Sequence, residues 1–188
     1  GKLLSDRYLR GDGIIKLSIS EFDKAIALDP NFGEAYAIKA YAEIAMHWYT
    51  AADGDWLAAA EETLRRAKEL APDSVETNVA QGYIHYWGHL DYAQADAAFE
   101  KALEKSPSYI DAITGKAFAA RRDGRIDEAL TLLEIGRRLD PLNSDVHTSI
   151  IETLSRLGRF NEAKIALARA QKIRPSIVLD GMTVAMFW

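Results

Sequence analysis

"FDKAIALDPNFGEAYA", residues 22–37, sets a proline at the centre of an alanine-rich segment that otherwise favours helix. Proline lacks a backbone N–H and its ring collides with the preceding turn, so a helix does not run through Pro30. Either the region is not helical, or Pro30 separates two helices. The other prolines resolve the choice. All five stand at 30, 72, 107, 141 and 175, with spacings of 42, 35, 34 and 34. Each closes a similar segment: "AIALDP", "AKELAP", "ALEKSP", "GRRLDP" and "AQKIRP". The likeness continues upstream in "LDYAQADAAFEKALEKSP" (90–107), "GRIDEALTLLEIGRRLDP" (124–141) and "GRFNEAKIALARAQKIRP" (158–175). A fixed period of about 34 residues marks a helical repeat.

Two helices fit each period. After the proline a polar residue is followed by an acid three places on, in Asn31…Glu34, Asp73…Glu76 and Ser108…Asp111. That spacing suits a helix N-terminus, where orphan N–H groups need acceptors. The fourth junction, "PLNSD", is less regular. Gly124 and Gly158 sit where a turn ends the first helix, and Asp127-Glu128 and Asn161-Glu162 then open the second. Small residues recur seven apart on the second helix: Ala60/Ala67, Ala95/Ala102, Ala129/Gly136 and Ala163/Ala170. Leu64, Phe99, Leu133 and Leu167 lie between them, so a close helix approach alternates with a large side chain filling the hole opposite. The first full repeat carries eight extra residues between Ala40 and Ala60, around "HWYTAADGD". These predict longer paired helices with the turn at 52–55. One further extra residue falls near "YWGHLD".

On these motifs the chain resembles the tetratricopeptide repeat (TPR) family over about residues 14–188. The resemblance implies an all-α solenoid of antiparallel helix pairs, stacked in a right-handed superhelix. The expected division of this single domain is a partial helical unit at 1–30, repeats at 31–72, 73–107, 108–141 and 142–175, and the first helix of a further repeat at 176–188. The family's aromatic near the start of the first helix survives as Tyr36, with Asn78, Ile113 and His147 at the corresponding places. "DRYLRGD", "GYIHYWGHLDYAQA" and "RRDGRIDEA" are also similar to TPR regions of bacterial signalling proteins, those carrying nucleotide cyclases or winged-helix activators. That likeness implies a sensory, oligomerising or docking role beside a part that is not in this chain.

Composition narrows the function. The net charge of −5 argues against a nucleic-acid partner, which calls for a basic surface. There is no cysteine, hence no thiol chemistry. No apolar run reaches the roughly 18 residues of a membrane span. A cytoplasmic location is expected, a periplasmic one being the alternative. No nucleophile motif or glycine-rich phosphate loop is present, so no enzyme activity and no cofactor are expected. "RGDG" (10–13) reads as a turn. His85 and His89 are four apart, with Asp91 nearby, but a turn at Gly88 is expected to separate them, leaving no metal site.

In TPR proteins the first helices line the concave groove. The corresponding positions here are Tyr41, Tyr83, Phe118 and Glu152, followed by Tyr86 and Trp87, Arg121 and Arg122, then Ser155 and Arg156. The expected partner-binding residues are therefore Tyr41, Tyr83, Tyr86, Trp87, Phe118, Arg121, Arg122 and Arg156, aromatics in one half and arginines in the other. Charge follows the division: residues 1–115 hold 11 basic and 19 acidic residues, residues 116–174 hold 12 and 8. Aromatics and arginine dominate protein-binding hot spots. The lysines and asparagines with which TPR pockets grip chaperone C-termini are replaced by Ala37, Tyr41, Val79 and Tyr83. The expected partner is a protein or peptide other than a chaperone tail. The apolar "SIVLDGMTVAMFW" at 176–188 is expected to support self-association through residues 177–188.

Overall fold

A computed structural model describes residues 2–50 and 54–173, with side chains from residue 13 onward. The described residues are helical, in the order α1 (Lys2–Leu28), α2 (Gly33–Tyr49), α3 (Trp56–Leu70), α4 (Val75–Tyr83), a π-helical continuation Ile84–His89, α5 (Tyr92–Lys105), α6 (Ile110–Arg122), α7 (Ile126–Leu139), α8 (Ser144–Arg156) and α9 (Phe160–Ile173). They group into two compact units that meet at Pro107/Ser108, a junction between repeats. The proposed further helix at 176–188, and with it the self-association segment, lies outside the described residues, as does Pro175.

Pro30, Pro72, Pro107 and Pro141 all lie in the turns between helices. Each preceding helix stops two residues before its proline, at Leu28, Leu70, Lys105 and Leu139. Pro30 is thus a break between α1 and α2. The helix starts differ from expectation by one residue. Asn31, Asp73 and Ser108 do not cap; the N-cap positions are Phe32, Ser74 and Tyr109. Of these only Ser74 caps through its side chain, accepting from the Thr77 N–H at 3.0 Å. The irregular "PLNSD" junction holds a better cap, Asn143, whose Oδ1 accepts from the N–H groups of Asp145 and Val146 at 3.1 Å. Two replacements of the family's early aromatic are tied locally. Asn78 donates to the Ser74 carbonyl at 2.8 Å, and the His147 ring lies 2.9 Å from the Pro141 carbonyl, to which its Nε2–H donates.

In the first unit, α1 packs on α2, α2 pairs with α3, and α4 with its π segment pairs with α5. "RGDG" is not a turn, because α1 runs through it. Lys39 joins α1 to α2, its Nζ 2.7 Å from Asp23 and 3.6 Å from the buried Glu43. The eight extra residues divide between helix and connection. α2 has 17 residues where α6 has 13, and α3 has 15 where α7 has 14. The remainder falls in the connection after Tyr49, of which 51–53 lie outside the described residues.

The extra residue near "YWGHLD" is taken up inside the helix: Ile84–His89 is π-helical, with the wider i→i+5 turn that holds one more residue. The turn then falls on Leu90, in the left-handed region at φ 55°.

In the second unit, α6/α7 and α8/α9 form two hairpins, and α7 packs against α8. Gly124 and Gly158 close α6 and α8 at φ 80° and 71°, a conformation glycine adopts without a Cβ penalty. Asp127-Glu128 and Glu162 sit in the first turns of α7 and α9, where the helix dipole favours negative charge. The small-residue pattern is the core of both units. Ala60, Ala67, Ala95, Ala102, Ala129, Ala163 and Ala170 are fully buried, as is Phe99, with Leu133 1% and Leu64 6% exposed. Around Leu133 of the second unit pack Ala117, Val146, Ile150, Ile151 and Leu154. No described helix is long and apolar enough to cross a membrane.

Candidate functional site

The expected groove residues fall into two sets, Tyr41, Tyr83, Tyr86 and Trp87 in the first unit and Phe118, Arg121, Arg122 and Arg156 in the second. Trp87 is the hub of the first set. Its ring lies 4.4 Å from Tyr83, 6.0 Å from Tyr41, 6.3 Å from Trp48 and 5.2 Å from Tyr49, centroid to centroid. Tyr83 also meets Phe99 edge-on at 5.0 Å. Offset and edge-on ring pairs of this kind add about 0.5–1.5 kcal/mol each to their burial.

The expectation that these aromatics are open anchors is corrected for three of them. Tyr83, Tyr86 and Trp87 are only 3%, 3% and 4% exposed. Their rings are core, because the longer α2 carries its last turn across them. Trp48 and Tyr49, on that extra turn, are the rings that face solvent, at 40% and 48% exposure, while Tyr41 is half-buried. The sequence reading passed over Trp48 and Tyr49; their signal was the aromatic pair inside the insertion "HWYTAADGD".

In the second unit the three arginines come together. Arg121, Arg122 and Arg156 line one concavity of about 270 Å³ with Ile126, Thr153 and Leu157. Arg122 and Arg156 occupy the last turns of α6 and α8, one repeat apart, and both are exposed. Arg121 is held more tightly. It donates to the Thr153 hydroxyl at 3.1 Å, lies 3.9 Å from the Glu152 carboxylate and sits over the half-buried Phe118 ring at 5.3 Å. A guanidinium over an aromatic face gains cation–π attraction and loses rotamer freedom. Thr153 in turn donates to the Ser149 carbonyl at 2.6 Å, so its hydroxyl proton is engaged within α8.

His85 and His89 are not separated by a turn at Gly88, because the π segment continues through it. Their rings lie 5.9 Å apart, and His89 Nε2 is 2.9 Å from a Glu61 carboxylate oxygen. Burial, with the neighbouring His89 charge, pushes the His85 imidazole below its ordinary value. Among the described residues no group of three or more histidine and carboxylate side chains is placed to hold a metal ion.

The comparisons agree with this architecture. Residues 87–149 match a family described as "Tetratricopeptide repeat", and residues 152–177 match a second of the same description. The human "Tetratricopeptide repeat protein 13" is 31% identical over 131 residues, which cover 62% of this chain and 15% of that protein. This chain therefore spans a small part of that relative's length. Among solved structures, PilW, described as a widely conserved type IV pilus biogenesis factor, superposes with a TM-score of 0.71 at 21% identity, covering 98% of this chain and 80% of PilW. YrrB, described as a TPR protein with an unusual peptide-binding site, superposes at 0.59 with 18% identity, covering 98% and 86%. Helix pairs at a 34-residue period, prolines in the turns between them, small residues buried seven apart, and the two family matches lead to one conclusion: the chain is a tetratricopeptide repeat protein.

Proposed function

We propose that this chain is a protein-recognition scaffold that holds a segment of a partner protein and performs no catalysis itself. The observation that carries this reading is the convergence of Arg121, Arg122 and Arg156 on one concavity of the second unit, beside Phe118. Arginine forks bind carboxylate and phosphate groups through paired N–H donors, and an aromatic at the same place supplies apolar contact. Trp48, Tyr49 and Tyr41 give the first unit an aromatic surface of its own. The second unit's surface favours a peptide segment with an anionic group beside an apolar residue, and the first unit's surface favours aromatic or aliphatic residues. YrrB, of the same fold, is described as having a peptide-binding site, which supports peptides as the partner class. The net charge of −5 favours a protein partner over nucleic acid.

The test is a titration with the native partner, isolated by pull-down, at several ionic strengths. Exposed ion pairs are screened over about 10 Å at 0.1 M salt, whereas apolar burial is not. Arg121→Ala/Arg122→Ala is expected to weaken binding and flatten its salt dependence. Trp48→Ala is expected to weaken binding while leaving the salt slope nearly intact. If both variants bind like the parent and changes at Arg65 or Arg137 abolish binding, the proposed surfaces are not the site.

A further inference from the structure

We propose that a concavity among α3, α4 and α5 of the first unit binds a small zwitterionic ligand with one more carboxylate than ammonium, an amino acid with an acidic side chain. It is a different surface from those proposed for the partner segment. Asn78 of α4 lines it, whereas Tyr83 of the same helix meets Tyr41 of α2.

The floor of the site is an amide. Asn78 stands where the family carries an aromatic ring, and beside this shorter side chain lies a concavity of about 450 Å³. Small-molecule sites occupy roughly 300–1,000 Å³. Asn78 is only 8% exposed. Its Nδ2 donates to the Ser74 carbonyl at 2.8 Å, and among the described residues nothing donates to its Oδ1. A side-chain amide has two N–H donors and a carbonyl acceptor, so one donor and the acceptor are left for an occupant.

The rim is charged. Lys68 in the last turn of α3, with Lys101 and Lys105 one turn apart on α5, brings three ammonium groups. Asp73, in the connection between α3 and α4, and Glu104 on α5 bring two carboxylates. All five side chains are exposed, and none makes an ion pair or a side-chain hydrogen bond among the described residues. The other cations of α3 differ, since Arg65 and Arg66 are bound to Glu62 and Glu69. Lys68 instead has partial burial and the Lys101 charge acting against its proton, which hold its amine below the ordinary value. Two like charges kept close, with no carboxylate paired to either, mark the place of an anionic group.

Charge counting then selects the ligand. Three ammonium groups against two carboxylates leave one positive charge. A simple anion answers the lysines but is repelled by Asp73 and Glu104, and a dianion more so. An acidic amino acid carries two carboxylates and one ammonium, and so gives each sign its opposite. One carboxylate fits between Lys68 and Lys101, and its ammonium turns to Asp73 or Glu104. Contacts in which both groups are ionised are the stronger hydrogen bonds, and lysine stems are flexible enough to close on them.

The experiment titrates the whole chain at pH 7.5 and matched ionic strength with three probes, followed by amide chemical shifts. They are L-glutamate, glutarate, which lacks the ammonium, and 4-aminobutyrate, which lacks the α-carboxylate. Glutamate is expected to bind about tenfold more tightly than either, the worth of one charge-assisted contact, with shifts gathered around Lys68, Asn78 and Lys101. Lys68→Gln/Lys101→Gln, at exposed positions, is expected to remove that binding, while Arg137→Gln in the second unit retains it. Asp73→Asn/Glu104→Gln separates the two halves of the proposal: it should weaken glutamate and leave glutarate unchanged or tighter. Circular dichroism matching the parent shows that the variants fold. Equal affinity for glutamate and glutarate, equal competition by sulfate, shifts spread over other lysines, or a lysine double variant that binds like the parent overturns the proposal.

Discussion

Replacing Gly82 by alanine puts a methyl group into space that the Phe99 ring already fills. A Cβ at this position would lie 2.5, 2.7 and 2.8 Å from three ring carbons of Phe99, where ordinary contact begins at 3.4 Å. Phe99 is fully buried on α5 and meets Tyr83 edge-on at 5.0 Å, so the ring cannot turn aside without disturbing the aromatic cluster around Trp87. Two terms oppose each other. Alanine is favoured over glycine inside a helix by about 0.8–1.0 kcal/mol. Overpacking a well-filled core costs about 1–3 kcal/mol, occasionally more. With a rigid aromatic as the obstacle the upper part of that range applies, and Gly82→Ala is expected to destabilise by about 1–2 kcal/mol. The assay is urea denaturation followed by far-ultraviolet circular dichroism, with Gly82→Ala/Phe99→Leu alongside. The smaller side chain should recover part of the loss, giving a favourable coupling between the two sites. Gly88→Ala serves as contrast, because its closest neighbour is the end of the flexible, half-buried Leu57 side chain at 2.5 Å. A Gly82→Ala protein as stable as the parent or more so, or a double variant no better than the sum of its parts, would refute the reasoning.

Ala129→Trp and Ala163→Trp each place a large ring where the parent side chain is fully buried at a helix contact, and each should cost about 1–3 kcal/mol or more; a thermal melt matching the parent would contradict the repeat register. Leu90, 54% exposed and left-handed at φ 55°, carries a backbone cost of about 1–2 kcal/mol that glycine does not. After glycine's added freedom in the unfolded chain is subtracted, Leu90→Gly should stabilise by about 0.5–1 kcal/mol, and a lower urea midpoint would count against that. Burial holds the Glu43 carboxyl above its ordinary value of 4.5, against hydrogen bonds from Thr63 and Lys39. Folding therefore takes up a proton between 4.5 and the raised value, and stability from this group grows as pH falls through that window. Relative to the parent, Glu43→Gln should be at its best at pH 7 and lose ground toward pH 4.5; a stability difference that stays flat over that range would show that Glu43 does not titrate so.

The helix pairs were legible because their signals are local and repeated. A proline every 34 residues and a small residue every seventh have one physical reading wherever they occur, and Ala60, Ala95, Ala129 and Ala163 are all fully buried. The cap residues were less legible: Asp73 and Ser74 are both polar and near the turn, and one residue of register decides which of them meets the first-turn N–H groups. The arginines of α6 and α8 were legible as a set because their spacing is that of the repeat. The aromatic half was not. Tyr83 and Trp87 stand at groove positions, but how open such a position is depends on what the neighbouring helix carries past it. The added turn of α2, with Trp48 and Tyr49, is specific to one repeat, so the periodic pattern held no information on where its rings would lie.

The π segment at Ile84–His89 acts as a phase corrector. Each residue inserted into an α-helix rotates everything beyond it by about 100°, which here would have swung the residues near the end of the hairpin's first helix onto the wrong face. One wide turn absorbs the surplus residue and returns the helix to its former angle, so Trp87 stays in the ring cluster and α5 begins in step with α4. An array built this way tolerates a one-residue insertion without passing it on to later repeats, and the spacing after Pro107 returns to 34. The cost is confined to Leu90, which stands where the later hairpins have Gly124 and Gly158 and turns left-handed without a glycine's freedom.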